Sequence, residues 1–323
     1  MQEQIAGKRF LVTGGAGFIG SHIVRFILKN GGFVRVLDNL LTGHIENIQE
    51  LIGSSNFEFV EGDITNLDTC KKVCEGIDYI CHQAALGSVP RSLLFPEKTN
   101  EINVSGFVNM LVAAKDNNAK RFVYASSSSV YGDEYSLPKI EDKIGSPLSP
   151  YAVSKLANEI YAKVFAKSYD LSTIGLRYFN IFGPNQDPNG PYAAVIPLFI
   201  TNIISGKPIS INGDGKTTRD FTYVANAVQA NIRALLTENE EACNQIYNIA
   251  CGKNYSLLDL VKSLEEALGK KAIVEHRDFR QGDIRDSLAD ISKANKLLGY
   301  QPEIDFNQGI KETVANLFYK NNN

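Results

Sequence analysis

The sequence predicts an α/β fold: a doubly wound parallel sheet with a smaller, mixed α/β C-terminal substrate lobe. Three observations lead there. Short β-branched runs alternate with helical patterns through the first half of the chain, as expected for parallel strands with helices on both faces. The turn Gly14-Gly15-Ala16-Gly17-Phe18-Ile19-Gly20 follows the first run and opens the first helical pattern. After Asn180 the texture changes to Pro-, Gly- and Asn-rich segments, which read as loops.

In chain order, residues 9–14 read as a strand, 18–30 as a helix and 33–38 as a strand. Residues 57–63, 79–85 and 121–127 read as further strands, with helical stretches near 67–76 and 97–117. Ser149-Pro150 opens a long amphipathic helix reaching about Tyr169, and 172–178 is another strand. Residues 211–221 form a turn-rich hairpin or loop. A helix (224–237), a short strand (245–250), a helix (256–268) and a strand near 273–276 follow. No internal repeat or low-complexity tract interrupts this order. The expected division puts 1–178 and about 221–250 in a nucleotide-binding part, and about 179–220 and 251–323 in a lobe over the strands' C-terminal ends, where such sheets bind ligands.

With 323 residues the chain is long enough for two lobes, and at 44% apolar it can bury a sizeable core. A net charge of −3 offers no basic excess, so neither nucleic acid nor an anionic membrane is an expected partner. An anionic substrate would need local arginines. The five cysteines (70, 74, 81, 243, 251) contain no C-x-x-C pair. Cys70 and Cys74 lie one helical turn apart, but further ligands of a metal site do not follow. This usage fits buried thiols in a reducing cytoplasm. The opening MQEQIAGKRF places an acidic residue before the first apolar run, unlike a signal peptide. The longest apolar stretch, AAVIPLFITNII, is too short to span a bilayer and contains Pro197 and Asn202.

The glycine turn stands between strand and helix in the order a dinucleotide needs. Gly14 permits the tight turn, Gly17 lets backbone approach a pyrophosphate, and Gly20 lets helix and strand pack closely. The helix N-terminus then offers free N–H groups and a positive dipole end. Asp38 ends the second strand, 24 residues after Gly14, where a carboxylate accepts from adenosine ribose hydroxyls and repels a 2′-phosphate. That favours NAD over NADP. Asp63, after the third strand, either meets an adenine amino group or serves as a turn residue.

Tyr151 and Lys155 share one helix face. An ammonium beside a phenol, together with a positively charged nicotinamide ring, favours the phenolate and makes Tyr151 a base. The run Ser126-Ser127-Ser128-Ser129 ends a strand 22 to 25 residues before Tyr151. Its hydroxyls can donate to the same substrate oxygen, and four serines leave the assignment open.

With these motifs in place the chain resembles the extended short-chain dehydrogenases/reductases of the Rossmann fold, specifically nucleotide-sugar 4-epimerases of the UDP-galactose 4-epimerase type. GGAGFIG, Asp38-Asn39, GDI, HQAA, SSSSVYG, YAVSK, RYFNIFGP, TRDF and RQGD carry the resemblance along essentially the whole chain. It implies Ser127 as catalytic serine with Ser128 beside it, and Tyr151 and Lys155 as base and helper. It places Phe18, Ile19, Asn39, Thr42, Gly43, Ile64, Gln83, Ala84, Ala85, Asn103 and Tyr178 on the cofactor with the glycines, Asp38 and Asp63. For a UDP-sugar it implies Asn180, Gln186, Ala194, Val195, Asn212, Arg219, Arg280, Asp283 and Arg285, with Gly87 and Ser88 near the sugar.

Two departures narrow the expectation. No acid stands before VYG, where related dehydratases carry one, so elimination is disfavoured. Ser287 occupies the gatekeeper position that resembles a bulky tyrosine in enzymes restricted to unacetylated sugars, which leaves space for an N-acetyl group. The resemblance therefore implies a 4-epimerase of UDP-N-acetylglucosamine and UDP-N-acetylgalactosamine, with UDP-glucose and UDP-galactose as further candidates. NAD would be tightly held and regenerated in each cycle, through a 4-keto sugar. A UDP-glucuronate or UDP-N-acetylgalactosaminuronate 4-epimerase is the alternative, with Arg91 or Arg285 meeting the carboxylate. A non-catalytic NAD-sensing protein is the remote one, because such a protein would be expected to lose Tyr151 or Lys155. A homodimer through a helical face is implied by the fold.

Overall fold

The computed structural model describes residues 2–189, 193–278 and 285–321. A short helix α1 (Gln2–Ile5) precedes β1 (Arg9–Thr13), which is buried without a break after Arg9. Continuous burial marks a central parallel strand covered on both faces. Helix α2 (Phe18–Lys29) buries Ile23, Val24 and Ile27, one stripe at helical spacing. Then come β2 (Phe33–Asp38), β3 (Phe57–Glu61), α3 (Leu67–Cys74) and β4 (Tyr79–His82). Helices α4 (Val89–Leu94) and α5 (Pro96–Asn100) lead through a π-helical turn (Glu101–Ser105) into α6 (Gly106–Asp116). Strand β5 (Arg121–Ser127), α7 (Pro150–Tyr169) and β6 (Thr173–Tyr178) complete this half. Helix α7 starts sharply because the Ser149 side chain accepts from Ala152 N and Pro150 needs no N–H partner in the first turn.

The later segments are β7 (Ile181–Phe182), α8 (Val195–Ile204), β8 (Ile209–Asn212), β9 (Thr218–Arg219), β10 (Thr222–Tyr223) and α9 (Val224–Leu236). They continue as β11 (Gln245–Ile249), β12 (Tyr255–Ser256), α10 (Leu257–Leu268), β13 (Val274–Arg277), α11 (Ser292–Leu298) and α12 (Phe306–Asn321). The main sheet has seven parallel strands in the order β3-β2-β1-β4-β5-β6-β11. The order reverses between β1 and β4, and the carboxyl ends open a crevice there.

Several elements differ from expectation. Residues 211–221 do not form a hairpin: β8 pairs parallel with β13, and β9 pairs antiparallel with β12. The apolar stretch ending at Ile204 is α8, whose Ile196, Phe199, Ile200 and Ile203 recur at helical spacing and are buried. Short α4, α11 and α12 were not anticipated.

Apolar clusters fill both faces of the sheet. A further core gathers Phe182, Phe199, Ile209, Phe221, Leu260 and Phe306 beneath the later segments. Ala294, Leu298 and Tyr300 pack instead on the sheet's first core, so the chain crosses back after α10, which packs on the later core. Among the described residues no helix is long and apolar enough to cross a membrane.

Candidate active site

A cleft of about 570 Å3 runs along the carboxyl ends of the strands. Its floor is the glycine turn. Gly14 has φ +70°, and a Cβ there would lie 2.7 Å from Ala84 N. At Gly20 a Cβ would lie 2.1 Å from Gly14 O, so turn, helix and β4 meet only without side chains. Gly14, Gly17, Phe18, Ile19 and Gly20 all line the cleft.

Asp38 lines it too, at the end of β2. Its carboxylate accepts from Ala16 N and Leu40 N, both at 2.9 Å. Burial nevertheless holds this carboxyl above its ordinary range, against the pull of those two bonds. A side chain at Gly43 would come within 2.9 Å of both Asp38 oxygens. With Asn39 and Thr42, also on the lining, this is a walled carboxylate suited to a diol. These features fit a dinucleotide: bare backbone at a helix N-terminus, and an acceptor at the end of β2. Asp63 has the contacts of a turn residue. Its carboxylate accepts from Thr65 N and Oγ1 at 2.8 Å and from Asn39 Nδ2 at 2.7 Å, and Ile64 rather than Asp63 faces the cleft.

Gln83, Ala84, Ala85, Gly87 and Ser88 form the wall after β4. Tyr178 donates to Gln83 Oε1 (3.1 Å) and accepts from Asn231 Nδ2 (2.7 Å), which fixes both lining side chains. Asn103 stands behind this wall, off the lining. Its amide is spent on Leu86 N (2.7 Å), Leu86 O and Ser154 Oγ (both 3.1 Å). It locks the loop that faces the ligand.

The serine ambiguity resolves by position. Ser126 and Ser127 both line the cleft, but the Ser126 hydroxyl is turned inward and donates to Glu159 Oε1 at 2.6 Å. Ser127 lines the cleft and hydrogen-bonds the Tyr151 phenol. Ser128 begins the helical turn after β5, off the lining, and the Ser129 hydroxyl is buried without a partner. Tyr151 and Lys155 both line the cleft, with the Lys155 ammonium 5.9 Å from the Tyr151 ring centre. Lys155 is 4% exposed and donates to Ala125 O at 2.8 Å. Burial brings it down to about 8, opposed by the nearby Glu159 carboxylate. In the chain alone, burial raises Tyr151, and the Ser127 bond only partly offsets this: desolvation of the phenol outweighs the hydrogen bond.

Of the residues expected around a sugar nucleotide, Asn180, Gln186 and Ala194 line the cleft. The Gln186 Oε1 is buried without a partner, so an acceptor is available. Val195 begins α8 and packs on the second core, off the lining. Asn212 lies in a separate groove with His276, Arg277 and Asp278. Arg219 donates to the Thr218 and Arg285 carbonyls, and neither arginine lines the main cleft. Ser287 is half-buried off that lining, and Arg280 and Asp283 lie outside the described residues. Two structural residues escaped the sequence reading. Asp220 accepts from Cys251 N (3.0 Å), Gly252 N (3.1 Å) and Ala289 N (3.3 Å), tying three segments near the site. Glu159 stands one turn beyond Lys155, a spacing that could have signalled it.

Among the described residues no group of three or more His, Cys, Asp or Glu is placed to hold a metal. Burial pushes Cys70 and Cys74 up to about 12, so both are inert thiols.

Comparison with known proteins adds the family. Residues 10–250 match the model of the NAD dependent epimerase/dehydratase family. A putative UDP-glucose 4-epimerase of Methanocaldococcus jannaschii is 39% identical over 97% of this chain and 99% of its own. A UDP-glucuronate 4-epimerase of Thermodesulfobacterium geofontis is 39% identical over 94% of each chain. Among solved structures, the UDP-N-acetylglucosamine 4-epimerase from Methanobrevibacter ruminantium, in complex with UDP-N-acetylmuramic acid, superposes with a TM-score of 0.92. It is 39% identical over 98% of this chain and 99% of its own.

Proposed function

This chain belongs to the NAD-dependent epimerase/dehydratase family, and from that premise we propose that it is a UDP-sugar 4-epimerase acting on UDP-N-acetylglucosamine and UDP-N-acetylgalactosamine. The observation that carries the epimerase reading is the set of charges around Tyr151. The carboxylates lining the cleft are Asp38 and Asp187, and Asp187 pairs with His44 just after β2. Both therefore belong to the β2 side, three strand positions from β5, or about 14 Å. No carboxylic acid on the described lining is next to Tyr151 to protonate a leaving hydroxyl, so reversible proton transfer is favoured over elimination.

NAD, when bound, supplies the reversible hydride acceptor for C4 of the sugar. Gly14, Gly17, Gly20 and Asp38 would hold it, and Asp38 disfavours a 2′-phosphate. Tyr151 takes the proton of the sugar 4-hydroxyl and later returns it. Ser127 donates to the same oxygen, and Lys155 supports the phenolate.

Acetylated sugars are favoured because Ser287 offers a small side chain, and a solved relative at 39% identity is named for such a sugar. A uronic sugar is the second reading: Arg91 lines the cleft, and one curated relative is named a UDP-glucuronate 4-epimerase. A homodimer fits the outer face of α7, where Val153, Ile160, Tyr161 and Val164 are exposed. The deciding experiment incubates purified protein, without added NAD, with UDP-N-acetylglucosamine, UDP-glucose or UDP-glucuronate and resolves the 4-epimers. Fastest conversion of the acetylated sugar is expected. Conversion of the glucuronate alone would overturn the substrate assignment, and no conversion of any would overturn the epimerase reading.

A further inference from the structure

Behind the reacting face lies a buried ionic cluster that the mechanism does not use. Glu159 and Arg177 are 4% and 2% exposed. Arg177 donates from Nε to Glu159 Oε1 (2.9 Å) and from Nη2 to Oε2 (2.8 Å), a bidentate pair. Ser126 adds its hydroxyl to the same Oε1 at 2.6 Å. Arg177 also donates to Glu141 O (2.8 Å) and stands 4.9 Å from the Tyr131 ring centre. A buried pair of this kind does little for net stability, because desolvation offsets its attraction. Its placement suggests another role. It joins β5, α7 and β6 at the level where β5 delivers Ser127 and α7 delivers Tyr151 and Lys155.

We infer that Glu159 is a positioning residue for the proton-transfer site: through Ser126 it sets Ser127 opposite Tyr151, and its carboxylate sustains the ammonium of Lys155. The inference rests on the reading of Tyr151 and Lys155 as the proton-transfer pair. Geometrically, Ser126 and Ser127 are adjacent on one strand and point to opposite sides. Fixing the first against Glu159 fixes the second toward the cleft. Electrostatically, each element packed around Lys155 contributes a known group. Strand β5 offers the Ala125 carbonyl, the serine hydroxyls and the Tyr124 phenol, which burial and Glu159 keep protonated. On β4, His82 is fully buried and depressed to about 3, by burial and then by Lys155 itself, so it is uncharged. On β6, Arg177 is neutralised by Glu159. On α7, Tyr151 is neutral and Glu159 is the carboxylate that opposes the desolvation of Lys155.

The test uses NAD-loaded protein and two substitutions. Glu159→Gln keeps an acceptor for Ser126 and removes the charge. Its alkaline limb of kcat should move down by about one pH unit, with KM little changed at neutral pH. An unmoved limb in folded Glu159→Gln overturns the inference. Ser126→Ala leaves the ion pair intact and removes the strand's tether. Should Glu159→Gln not fold, this variant decides: kcat about tenfold lower at unchanged KM supports positioning, and wild-type kcat overturns it. A substrate-free readout separates this inference from the functional one. The Lys155 ammonium itself, followed by NMR of 15N-labelled lysine and assigned by its loss in Lys155→Met, should give up its proton at lower pH in Glu159→Gln. If wild type converts no UDP-sugar, the functional reading fails while this titration still decides: a downward move supports Glu159, and no move overturns it.

Discussion

Tyr151 and Lys155 are acted on by the same burial in opposite electrical senses. Loss of water disfavours the phenolate and the ammonium alike, so the tyrosine rises and the lysine falls to about 8. Tyr151→Phe should therefore remove the base alone. We expect kcat to fall by roughly 10^2- to 10^4-fold, with NAD content of the purified protein unchanged. Lys155 carries a stability consequence. Its folded-state value lies below the ordinary 10.5. The folded state is thus penalised for holding the ammonium below about pH 8, and the penalty disappears as pH rises toward 10.5. In NAD-stripped protein, Lys155→Met should raise the unfolding temperature at neutral pH, by a free energy of at most about 3 kcal/mol. That gain should shrink toward alkaline pH, and a pH-independent difference would count against it. At this scale the sequence put Tyr151 and Lys155 on one helix but left open which serine stands beside them. Four consecutive serines are chemically alike, and only the strand's pleat separates Ser126, turned to Glu159, from Ser127.

At the scale of elements, the glycine turn and the start of α2 form one unit. A methyl at Gly20 would come within 2.1 Å of Gly14 O, so backbone must move. Gly20→Ala is expected to cost about 1–3 kcal/mol and to lower the NAD retained through purification. Unchanged retention would mean that the turn tolerates the shift. The segment after Arg285 behaves differently. Its Lys139 and Asp220 contacts tie Leu288 and Ala289 down, and Ser287 precedes them. Ser287→Tyr should depress kcat/KM for acetylated sugars by about tenfold or more while sparing plain ones. Equal losses on both would remove Ser287 as a determinant. Strands and helices of the first half were legible because period-2 and period-3.6 patterns are local. Of the two readings of 211–221, hairpin or loop, the hairpin fails because the short strands there find partners more than thirty residues away: β9 pairs with β12, and β8 with β13.

At the scale of the molecule, a parallel sheet and a second core share one cleft, and the outer face of α7 is left apolar. Val153, Ile160, Tyr161 and Val164 are 41–57% exposed and recur at helical spacing. If two copies meet there, Ile160→Glu with Val164→Glu should give a monomer by light scattering at concentrations where wild type is a dimer. A dimer that survives both changes would move the interface elsewhere. The return of α11 to the first core shows why a division by residue number captures the lobes only roughly: the chain crosses between cores more than once.

The sequence by itself determined the fold class, the glycine turn between β1 and α2, the place of Asp38 at the end of β2, and the helix that carries both Tyr151 and Lys155. Each rests on local spacing, which the helix or strand period converts directly into a shared face. Only the tertiary structure decided that Ser127 faces the cleft, that Asp63 caps a turn and that Asn103 braces a loop. It also brought Ser126, Glu159 and Arg177 into one buried cluster. These outcomes depend on partners distant in sequence: a polar side chain near the sheet is claimed by whichever donor or acceptor packing brings within about 3 Å, and that competition leaves no local pattern.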